Sequence, residues 1–598
     1  MRPGLVLAAG LAALAAFAAW SWFNRPVAVA ESWSGPFSSA SFAPYTRYQS
    51  PINDDVPSEA QIASDLRALQ GKVLGVRTYS LRDGLDAVPR LAQPLGITVT
   101  LGAWLAYLRD PQNVAKNDEE IEALIRTANA YPDTVKRVIV GNEVLLRRDL
   151  TPAQLIAHIR RVKAAIRQPV SYADVWGFFL THPEVAAELD YLTIHILPYW
   201  EDEPVPLDQL EAHVMRAVGA VRQAFPGKPI LIGETGWPSL GRDRGPAVVS
   251  TVNQARYLRQ IADIASRNQL DYNIVEAFDQ PWKSIHENTV GAAWGILDAD
   301  RQPKFAMSGP VTEVPDWSLR ATIAIALGLI ATLALGRRLN GFAAALTLAL
   351  LAQLLAFLAV TTGFHTALVS FRWWQFLLEP LRIIPPALFG IVILERAAGL
   401  LASPARASLP ERRAGSWLGE ALILFFALYA TIWSLLLAVD GRYRDIPDVD
   451  FALPCIGTAA LVLLRAALAR GRGEPIAQAF SIDGLFPTAG GFLARPGRRD
   501  RLVACLGVAL LTTAAAALVG EGFAVVGDDF LRDHPSFAAQ APLVLWAMLS
   551  NREMLLWSAM QAVLAVPFLV SWKLQQRAVA PPMRTSADRS AVIRATEL

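Results

Sequence analysis

The chain has 598 residues, a net charge of +2 at pH 7 and 53% hydrophobic residues. This length exceeds one ordinary domain, and a charge so near neutral excludes a nucleic-acid-binding protein that relies on a basic surface. The two cysteines, Cys455 and Cys505, both lie in apolar segments, which excludes a disulfide framework. Residues 36–312 have an ordinary soluble composition, whereas long apolar segments dominate after residue 318.

The N-terminus carries a targeting or anchoring segment. Arg2 precedes an apolar run from Leu5 to Phe23, and the small residues Ala28-Val29-Ala30 follow it, as at a signal-peptide cleavage site. Residues 1–30 are therefore predicted to be a signal peptide or an N-terminal signal anchor. In either case the residues that follow are exported.

Residues 36–312 alternate between short β-branched segments and amphipathic segments with a helical period. Such alternation predicts a parallel sheet whose strands are joined by crossover helices. Strands are predicted near 41–45 and at 73–79, 97–104, 138–143, 170–176, 191–195, 230–234 and 272–278. Helices are predicted at 118–129, 152–166, 207–224 and 251–267, with Thr151 and either Ser250 or Thr251 as N-caps.

Eight strand–helix units predict an α/β fold, a (β/α)8 TIM barrel, as an extracytoplasmic catalytic domain over residues 36–312. A doubly wound open sheet is the alternative fold. The open sheet is disfavoured because no Gly-rich phosphate loop follows the first strand.

Polar and aromatic side chains follow the strands at the end where a barrel holds its active site. Because charge is unexpected directly after an apolar strand, its recurrence indicates a functional surface. These residues are Arg77, Trp104, Asn142, Glu143, Asp174, Tyr199, Glu234 and Glu276. Tryptophans such as Trp237 and Trp282 offer flat platforms for sugar faces, although core packing explains an aromatic residue equally well.

Glu143 and Glu234 end the fourth and seventh predicted strands. Two carboxyl groups opposed across a barrel mouth suit retaining glycoside cleavage, which requires a separation of about 5–5.5 Å. One group donates a proton to the leaving oxygen while the other attacks the anomeric carbon. We expect burial and the Glu234 charge to raise the pKa of Glu143, and we expect Arg77 or Tyr199 to keep Glu234 ionised.

Three motifs carry a family resemblance. Residues 230–241, ILIGETGWPSLG, resemble the signature of glycoside hydrolase family 17, the β-1,3-glucanases and related glucanosyltransferases. Gly141-Asn142-Glu143 is similar to the acid/base strand of that family. Residues 276–283 are similar to its eighth-strand motif, but they read Asp-Gln-Pro where the family often has Asp-Glu-Pro. The resemblance covers residues 36–312 and, with the apolar region, points to a membrane-bound bacterial type.

The resemblance implies that Glu234 is the nucleophile and Glu143 the general acid/base. It also implies that Asn142 binds the 2-hydroxyl of the sugar being cleaved and that Tyr199 lies near the nucleophile. Further residues implied to line the sugar subsites are Glu276, Asp279 and Lys283. The seven histidines lack metal-ligand spacing, so neither metal nor cofactor is predicted, and His195 is interpreted as a core or subsite residue.

Seven apolar segments follow Asp316, each near the ~20 residues that cross a bilayer. They span 318–335, 340–361, 381–402, 417–439, 451–469, 502–524 and 552–572. Residues 318–573 are therefore predicted to form an all-α transmembrane domain, followed by a cytoplasmic tail at 574–598. Residues 525–551 are ambiguous and are interpreted as a re-entrant or interfacial helix.

The charges of the loops predict the orientation. If residue 36 onward is exported, the cytoplasmic loops should hold the Lys/Arg excess, and the loops predicted outside, 440–450 and 521–533, are indeed acidic or mixed. The cytoplasmic set comprises Arg337, Arg338, Arg396, Arg406, Arg412, Arg413, Arg465, Arg470, Arg472, Arg495, Arg498, Arg499, Arg501, Lys573, Arg577, Arg584, Arg589 and Arg594. The expected location is the inner membrane, multi-pass, with the catalytic domain in the periplasm.

The expected function is that of a membrane-anchored retaining enzyme that cleaves β-1,3-glucan and transfers the chain to a sugar acceptor, a β-glucanosyltransferase of periplasmic glucan synthesis or remodelling. The alternatives are an endo-β-1,3-glucanase that uses water and, more remotely, a non-catalytic glucan receptor or a transporter. Expected partners are a β-glucan polysaccharide or oligosaccharide and the lipid bilayer, with a membrane glucan synthase as a further candidate. No nucleic-acid partner is expected.

Overall fold

The computed structural model describes residues 2–29, 33, 35–52, 55–108, 110–402, 416–487 and 498–579. Part of the predicted cytoplasmic arginine set lies outside these residues, as does most of the predicted tail at 574–598. The members concerned are Arg406, Arg412, Arg413, Arg495, Arg584, Arg589 and Arg594.

Eight parallel strands close into a barrel in chain order, which confirms the predicted fold class. The strands are β1 (Phe37–Ser41), β2 (Val73–Arg77), β3 (Thr98–Ala103), β4 (Val135–Asn142), β5 (Val170–Val175), β6 (Leu192–His195), β7 (Ile230–Thr235) and β8 (Asp271–Ile274). Closure is made by β1 and β8, which pair at Ala40 and Ile274.

The first strand lies about four residues before its predicted position, so the prediction near 41–45 was wrong in register. The strand reads FSSAS, and two of its three serines, Ser39 and Ser41, are buried. Ser39 Oγ donates to Asn273 Oδ1 at 2.7 Å, and Asn273 Nδ2 donates to Ser41 Oγ at 2.8 Å. Because these polar residues bond to each other, the strand needs no apolar alternation, which is the signal that the prediction relied on.

Helices cover the barrel and fix the strand ends. One N-terminal helix, α1 (Pro3–Phe23), precedes α2 (Glu59–Leu69), α3 (Val88–Ala92), α4 (Pro111–Ala130), α5 (Pro152–Ala165), α6 (Trp176–Thr181), α7 (Pro183–Glu188), α8 (Leu210–Ala224), α9 (Thr251–Asn268) and α10 (Ser284–Ala292). Thr151 forms the expected cap of α5, with a full capping box to Gln154. Of the two candidates for α9, Ser250 is the cap, since its hydroxyl accepts from Asn253 N at 3.0 Å.

The second half of the described chain is helical. It consists of α11 (Trp317–Leu335), α12 (Phe342–Leu368), α13 (Trp373–Ala402), α14 (Ser416–Asp440), α15 (Asp448–Gly471), α16 (Ile482–Leu485), α17 (Arg498–Phe523), α18 (Asp528–Asp533), α19 (Phe537–Ser550) and α20 (Arg552–Val579). Among the described residues, eight helices are long and apolar enough to cross a membrane: α1, α11 to α15, α17 and α20. The ambiguous region 525–551 forms two shorter helices, α18 and α19.

The N-terminal helix packs into this helical region rather than standing alone. Trp20 of α1 contacts Phe357 of α12, with ring centroids 4.7 Å apart, and it clusters with Ala321 and Ala324 of α11. Near the other end of α1, Leu5 and Ala8 are buried against Ala345. Helix α1 is therefore a packed member of the helical region in this structure.

Two segments of the helical region reach the mouth of the barrel. Residues 441–445 follow α14, and residues 521–534 run from the end of α17 past α18. Arg242, in the loop after β7, forms a buried ion pair with Glu521 and donates to the carbonyl oxygen of Gly441. We call these two segments the outer loops. Both were predicted from their charges to lie on the same side of the membrane as the barrel.

Candidate active site

The carboxyl groups of Glu143 and Glu234 meet at the carboxyl ends of β4 and β7. His195, the last residue of β6, lies between them and is only 1% exposed. Its Nδ1 donates to Glu143 Oε1 at 2.9 Å, and its Nε2 lies 3.5 Å from Glu234 Oε1. One oxygen of each glutamate and a ring nitrogen of the histidine all lie within 4.8 Å of one another. The two carboxylates therefore reach into the same small part of the cleft.

The backbone at the end of β4 is held in an uncommon conformation. Gly141 has φ 84° and Glu143 has φ 49°, both in the left-handed region. A Cβ at Gly141 would lie 2.8 Å from Val144 Cγ2, so the position also has no room for a side chain. Non-glycine residues with positive φ cost free energy and cluster at functional sites.

Arg77 organises the base of the site. Its guanidinium is 1% exposed and lies with Nη1 3.4 Å from Glu234 Oε1. The same side chain donates to Asn142 Oδ1 at 2.6 Å and to the Gly233 carbonyl oxygen at 2.7 Å. Three strand ends, of β2, β4 and β7, are therefore tied together by one buried cation.

The expected rise in the pKa of Glu143 is wrong for the substrate-free protein. Burial acts to raise the pKa, but the hydrogen bond from His195 and the charges of His195, Arg147 and Arg77 outweigh it, and the pKa is lowered. The prediction failed because it considered only the glutamate pair. It did not anticipate a buried histidine between the two carboxyl groups.

A second cluster of charges lies beside the pair, after β8. Lys283 Nζ donates to Glu276 Oε1, and burial raises the pKa of Glu276 despite that contact. Glu287, on α10, lines the same cleft, and burial raises its pKa to about 7, while Lys283 acts against the rise. Carboxyl groups with such shifted pKa values are typical of functional clefts.

The cleft above the pair has a cavity volume of about 630 Å³. Its floor and lower walls come from the barrel, including Glu143, Glu234, Glu276 and Lys283 of the predicted site. Its upper wall comes from the outer loops, which contribute Arg442, Tyr443, Gly527, Asp528 and Asp529. The active-site cleft is thus bounded by both halves of the chain.

Several predicted site residues do not line this cleft. Asp174 is fully buried, accepts from the Tyr172 hydroxyl and from Val175 N at 2.8 Å, and has its pKa raised by burial to about 6. Asp279 pairs with Lys304 at 2.9 Å. Tyr199 and Trp237 are in the hydrophobic core, where the Tyr199 hydroxyl donates to the Arg242 carbonyl oxygen.

The other predicted binding residues border the site indirectly. Arg77 and Asn142 support the pair from below, as described above. Trp104 stacks under the Arg147 guanidinium, 4.3 Å from the ring centroid, and Arg147 lines the cleft. Trp282 is half-buried and donates to Gln280 Oε1 at 2.8 Å. None of the four is among the residues that line the described cleft.

The structure adds residues that the sequence analysis left unassigned or, for His195, left open between a core and a subsite role. His195 carried a signal, since it ends a strand as the glutamates do. Arg147 and Glu287 lie in a loop and a helix, and the outer-loop residues Arg442 and Tyr443 are far away in sequence. No local pattern identifies a residue that reaches a site only through tertiary packing.

By spacing, Glu143, His195 and Glu234 could also hold a cation. The Arg77 guanidinium, however, already lies 3.4 Å from both Glu234 Oε1 and His195 Nε2. A second positive charge would be repelled there, so the donor set does not suit a metal ion.

Comparison with known proteins gives a consistent result for the barrel. Residues 40–295 match the BtgE/BtgC glycoside hydrolase domain. A glucan 1,3-beta-glucosidase of Arthroderma benhamiae is 27% identical over 43% of this chain and 87% of that protein. A probable family 17 glucosidase of Saccharomyces cerevisiae is 29% identical over 42% of this chain and 64% of its own length.

Solved structures include a glycoside hydrolase family 17 β-1,3-glucanosyltransferase from Rhizomucor miehei. It is 29% identical, with a TM-score of 0.40, over 46% of this chain and 97% of that chain. These relatives are fungal, whereas the sequence resemblance pointed to a membrane-bound bacterial type; nothing in these similarities extends to the helical region.

Proposed function

We propose that the barrel, which is a glycoside hydrolase domain of the BtgE/BtgC type, cleaves β-1,3-glucan with retention and passes the chain to a sugar acceptor. The protein would then be a membrane-anchored β-glucanosyltransferase. The observation that carries this proposal is the close approach of the Glu143 and Glu234 carboxylates, within 4.8 Å. That distance suits a direct attack by one carboxylate on the anomeric carbon, with no water between.

In the first step a Glu234 oxygen attacks the anomeric carbon as the glycosidic bond breaks. The bonding electrons go to the leaving oxygen, which takes the proton of Glu143. Arg77 Nη1, 3.4 Å from Glu234 Oε1, holds the carboxylate of the nucleophile in place. The N–H of His195 stabilises the Glu143 carboxylate that this proton transfer creates.

In the second step an acceptor hydroxyl attacks the anomeric carbon of the glycosyl ester. Its proton goes to the Glu143 carboxylate, and the bond to Glu234 breaks, which restores both groups. Formation of the ester removes the negative charge of Glu234, so Glu143 serves as base without a neighbouring anion. Water as acceptor would give hydrolysis, and the glucosidase names of the relatives favour that second candidate.

Transfer is supported by the walls of the cleft. The outer loops form the upper wall of the cleft that holds Glu143 and Glu234. They add surface where an acceptor sugar can be held near Glu143.

We also propose that the eight long apolar helices anchor the protein in the inner membrane with the barrel in the periplasm. Two observations support this. The loops predicted outside from their charge contact the barrel, for example through Arg442 and Asp202 at 3.2 Å. The N-terminal helix packs on α11 and α12, which favours an uncleaved anchor over a removed signal peptide.

The test is to incubate the purified full-length protein with a laminari-oligosaccharide of one defined length and to weigh the products. Products longer than the substrate are expected, because a sugar hydroxyl competes with water for the ester. Only shorter products would replace transfer with hydrolysis. The variant Glu234→Ala should give neither product while folding normally, and turnover by that variant would refute the assignment of the nucleophile.

A further inference from the structure

The outer loops bring an aromatic side chain to the cleft that the barrel alone does not possess. Tyr443 lies next to Trp200, with ring centroids 5.7 Å apart and an interplanar angle of 40°. Trp200 in turn stacks with Trp294 at 6.5 Å and 15°. All three rings line the cleft that holds Glu143 and Glu234. They form a row, the aromatic platform, that leads from the barrel to the helical region.

The outer end of this platform is open. Tyr443 is 42% exposed although it lies between two packed halves of the chain, and Trp200 is half-buried. At the inner end, Trp294 is 4% exposed, and its buried indole N–H has no hydrogen-bond partner among the described residues. The platform is therefore accessible at Tyr443 and enclosed at Trp294.

The platform is also held in place from both sides. Arg442 donates to the Trp200 carbonyl oxygen at 3.1 Å and pairs with Asp202 at 3.2 Å. The backbone of Tyr443 accepts a hydrogen bond from Asn288 of the barrel. Two residues further on, Asp445 accepts from the Thr289 hydroxyl at 2.7 Å. Because the backbone of Tyr443 is already fixed without a ligand, ordering this residue on binding costs little conformational entropy.

The charges around the platform select among possible ligands. Eight carboxylates and three cationic side chains line the cleft. The carboxylates are Glu143, Glu201, Asp202, Glu234, Glu276, Glu287, Asp528 and Asp529, and the cations are Arg147, Lys283 and Arg442. An acidic surface repels an anionic polymer but not a neutral one. Flat rings bounded by carboxylates match the apolar faces and the hydroxyl groups of an uncharged sugar chain.

We propose that Tyr443 and Trp200 form a sugar-binding subsite shared by the barrel and the helical region, which holds glucosyl residues of an uncharged glucan chain several units from the cleaved bond. This inference rests on the proposed function, since it names where the same glucan continues. The helical region then does more than anchor the enzyme. It completes the cleft and determines for which glucan chain lengths kcat/KM is highest.

The test compares Tyr443→Ala with Tyr443→Phe in the full-length protein, using laminaritriose through laminariheptaose as substrates. Tyr443→Ala should lose about tenfold in kcat/KM on the longest substrate, which is ~1.4 kcal/mol, mainly through KM, and less on the shortest. Tyr443→Phe should stay near wild type because it keeps the ring. Leu531→Ala is the matched control, since Leu531 is exposed on α18 of the same outer loops but does not line the cleft.

Equal kinetics of Tyr443→Ala and wild type at every chain length would overturn the inference. A separate binding measurement, titration of laminariheptaose into Glu234→Ala with and without Tyr443→Ala, does not depend on turnover. If wild type is inactive, but adding Tyr443→Ala to Glu234→Ala weakens binding of the heptasaccharide about tenfold, the proposed function fails and the subsite stands. If binding is unchanged, the subsite fails whatever the activity.

Discussion

Arg242 provides a sharp test of how the barrel is joined to the helical region. Its guanidinium is 2% exposed, pairs with Glu521, which is 5% exposed, and donates to the carbonyl oxygens of Gly441 and Arg444. In Arg242→Met the Glu521 carboxylate stays buried, and Asn551 at 2.7 Å is its remaining described hydrogen-bond donor. Breaking a buried ion pair on one side costs about 3–5 kcal/mol.

The perturbation should appear as lower thermal stability of the purified full-length protein in detergent. At roughly 1–2 °C per kcal/mol for a cooperative unit of several hundred residues, Arg242→Met should lower the apparent melting temperature by roughly 3–10 °C. Adding Glu521→Gln removes the stranded charge but keeps an acceptor for Asn551. The double variant should therefore regain roughly 0.5–3 kcal/mol relative to Arg242→Met.

A surface pair supplies the matched control. Arg267 and Glu211 also form an arginine–glutamate pair, at 2.8 Å, but their side chains are 52% and 50% exposed. Arg267→Met should cost less than about 1 kcal/mol, because solvent screens an exposed pair. If Arg242→Met is no more damaging than Arg267→Met, or if the double variant gains nothing, the reasoning that burial makes this contact decisive is refuted.

Three further predictions concern the catalytic end of the barrel. His195→Phe removes the hydrogen bond that lowers the pKa of Glu143. The alkaline limb of the kcat/KM profile, where the proposed general acid loses its proton, should therefore move to higher pH. An alkaline limb at the same pH as in wild type would contradict the role of the histidine. Gly141→Ala should be less stable than Gly71→Ala by chemical denaturation and should lose activity, since both glycines have positive φ but only Gly141 lacks space for a Cβ. For Glu287→Gln, the free energy of unfolding relative to wild type should rise from about pH 4.3 to about pH 7 and stay constant above that. The reason is that burial raises the pKa of Glu287 in the folded protein, so wild type loses stability over this range as the carboxyl group ionises. A difference that does not change with pH would contradict the burial of this group.

Much of the barrel could be predicted from the sequence because strand–helix alternation is a local property. Seven of the eight strands were found close to their observed positions, as was the Thr151 cap of α5. The helical region could be predicted for the same reason, since length and apolar composition by themselves define a possible span. The first strand was misplaced because its buried serines bond to Asn273 across the barrel, a contact between residues far apart in the chain.

The sequence by itself identified Glu143 and Glu234 as the proposed catalytic pair, because residues at the carboxyl ends of barrel strands lie around one mouth. It could not determine what lies between and above them. Only tertiary structure brings His195 between the carboxyl groups, which reverses the expected pKa shift of Glu143. Only tertiary structure brings Tyr443 of the outer loops beside Trp200. The physical reason is that strand position fixes where a side chain emerges, whereas its neighbours, and hence its charge state and ligands, depend on how distant segments pack.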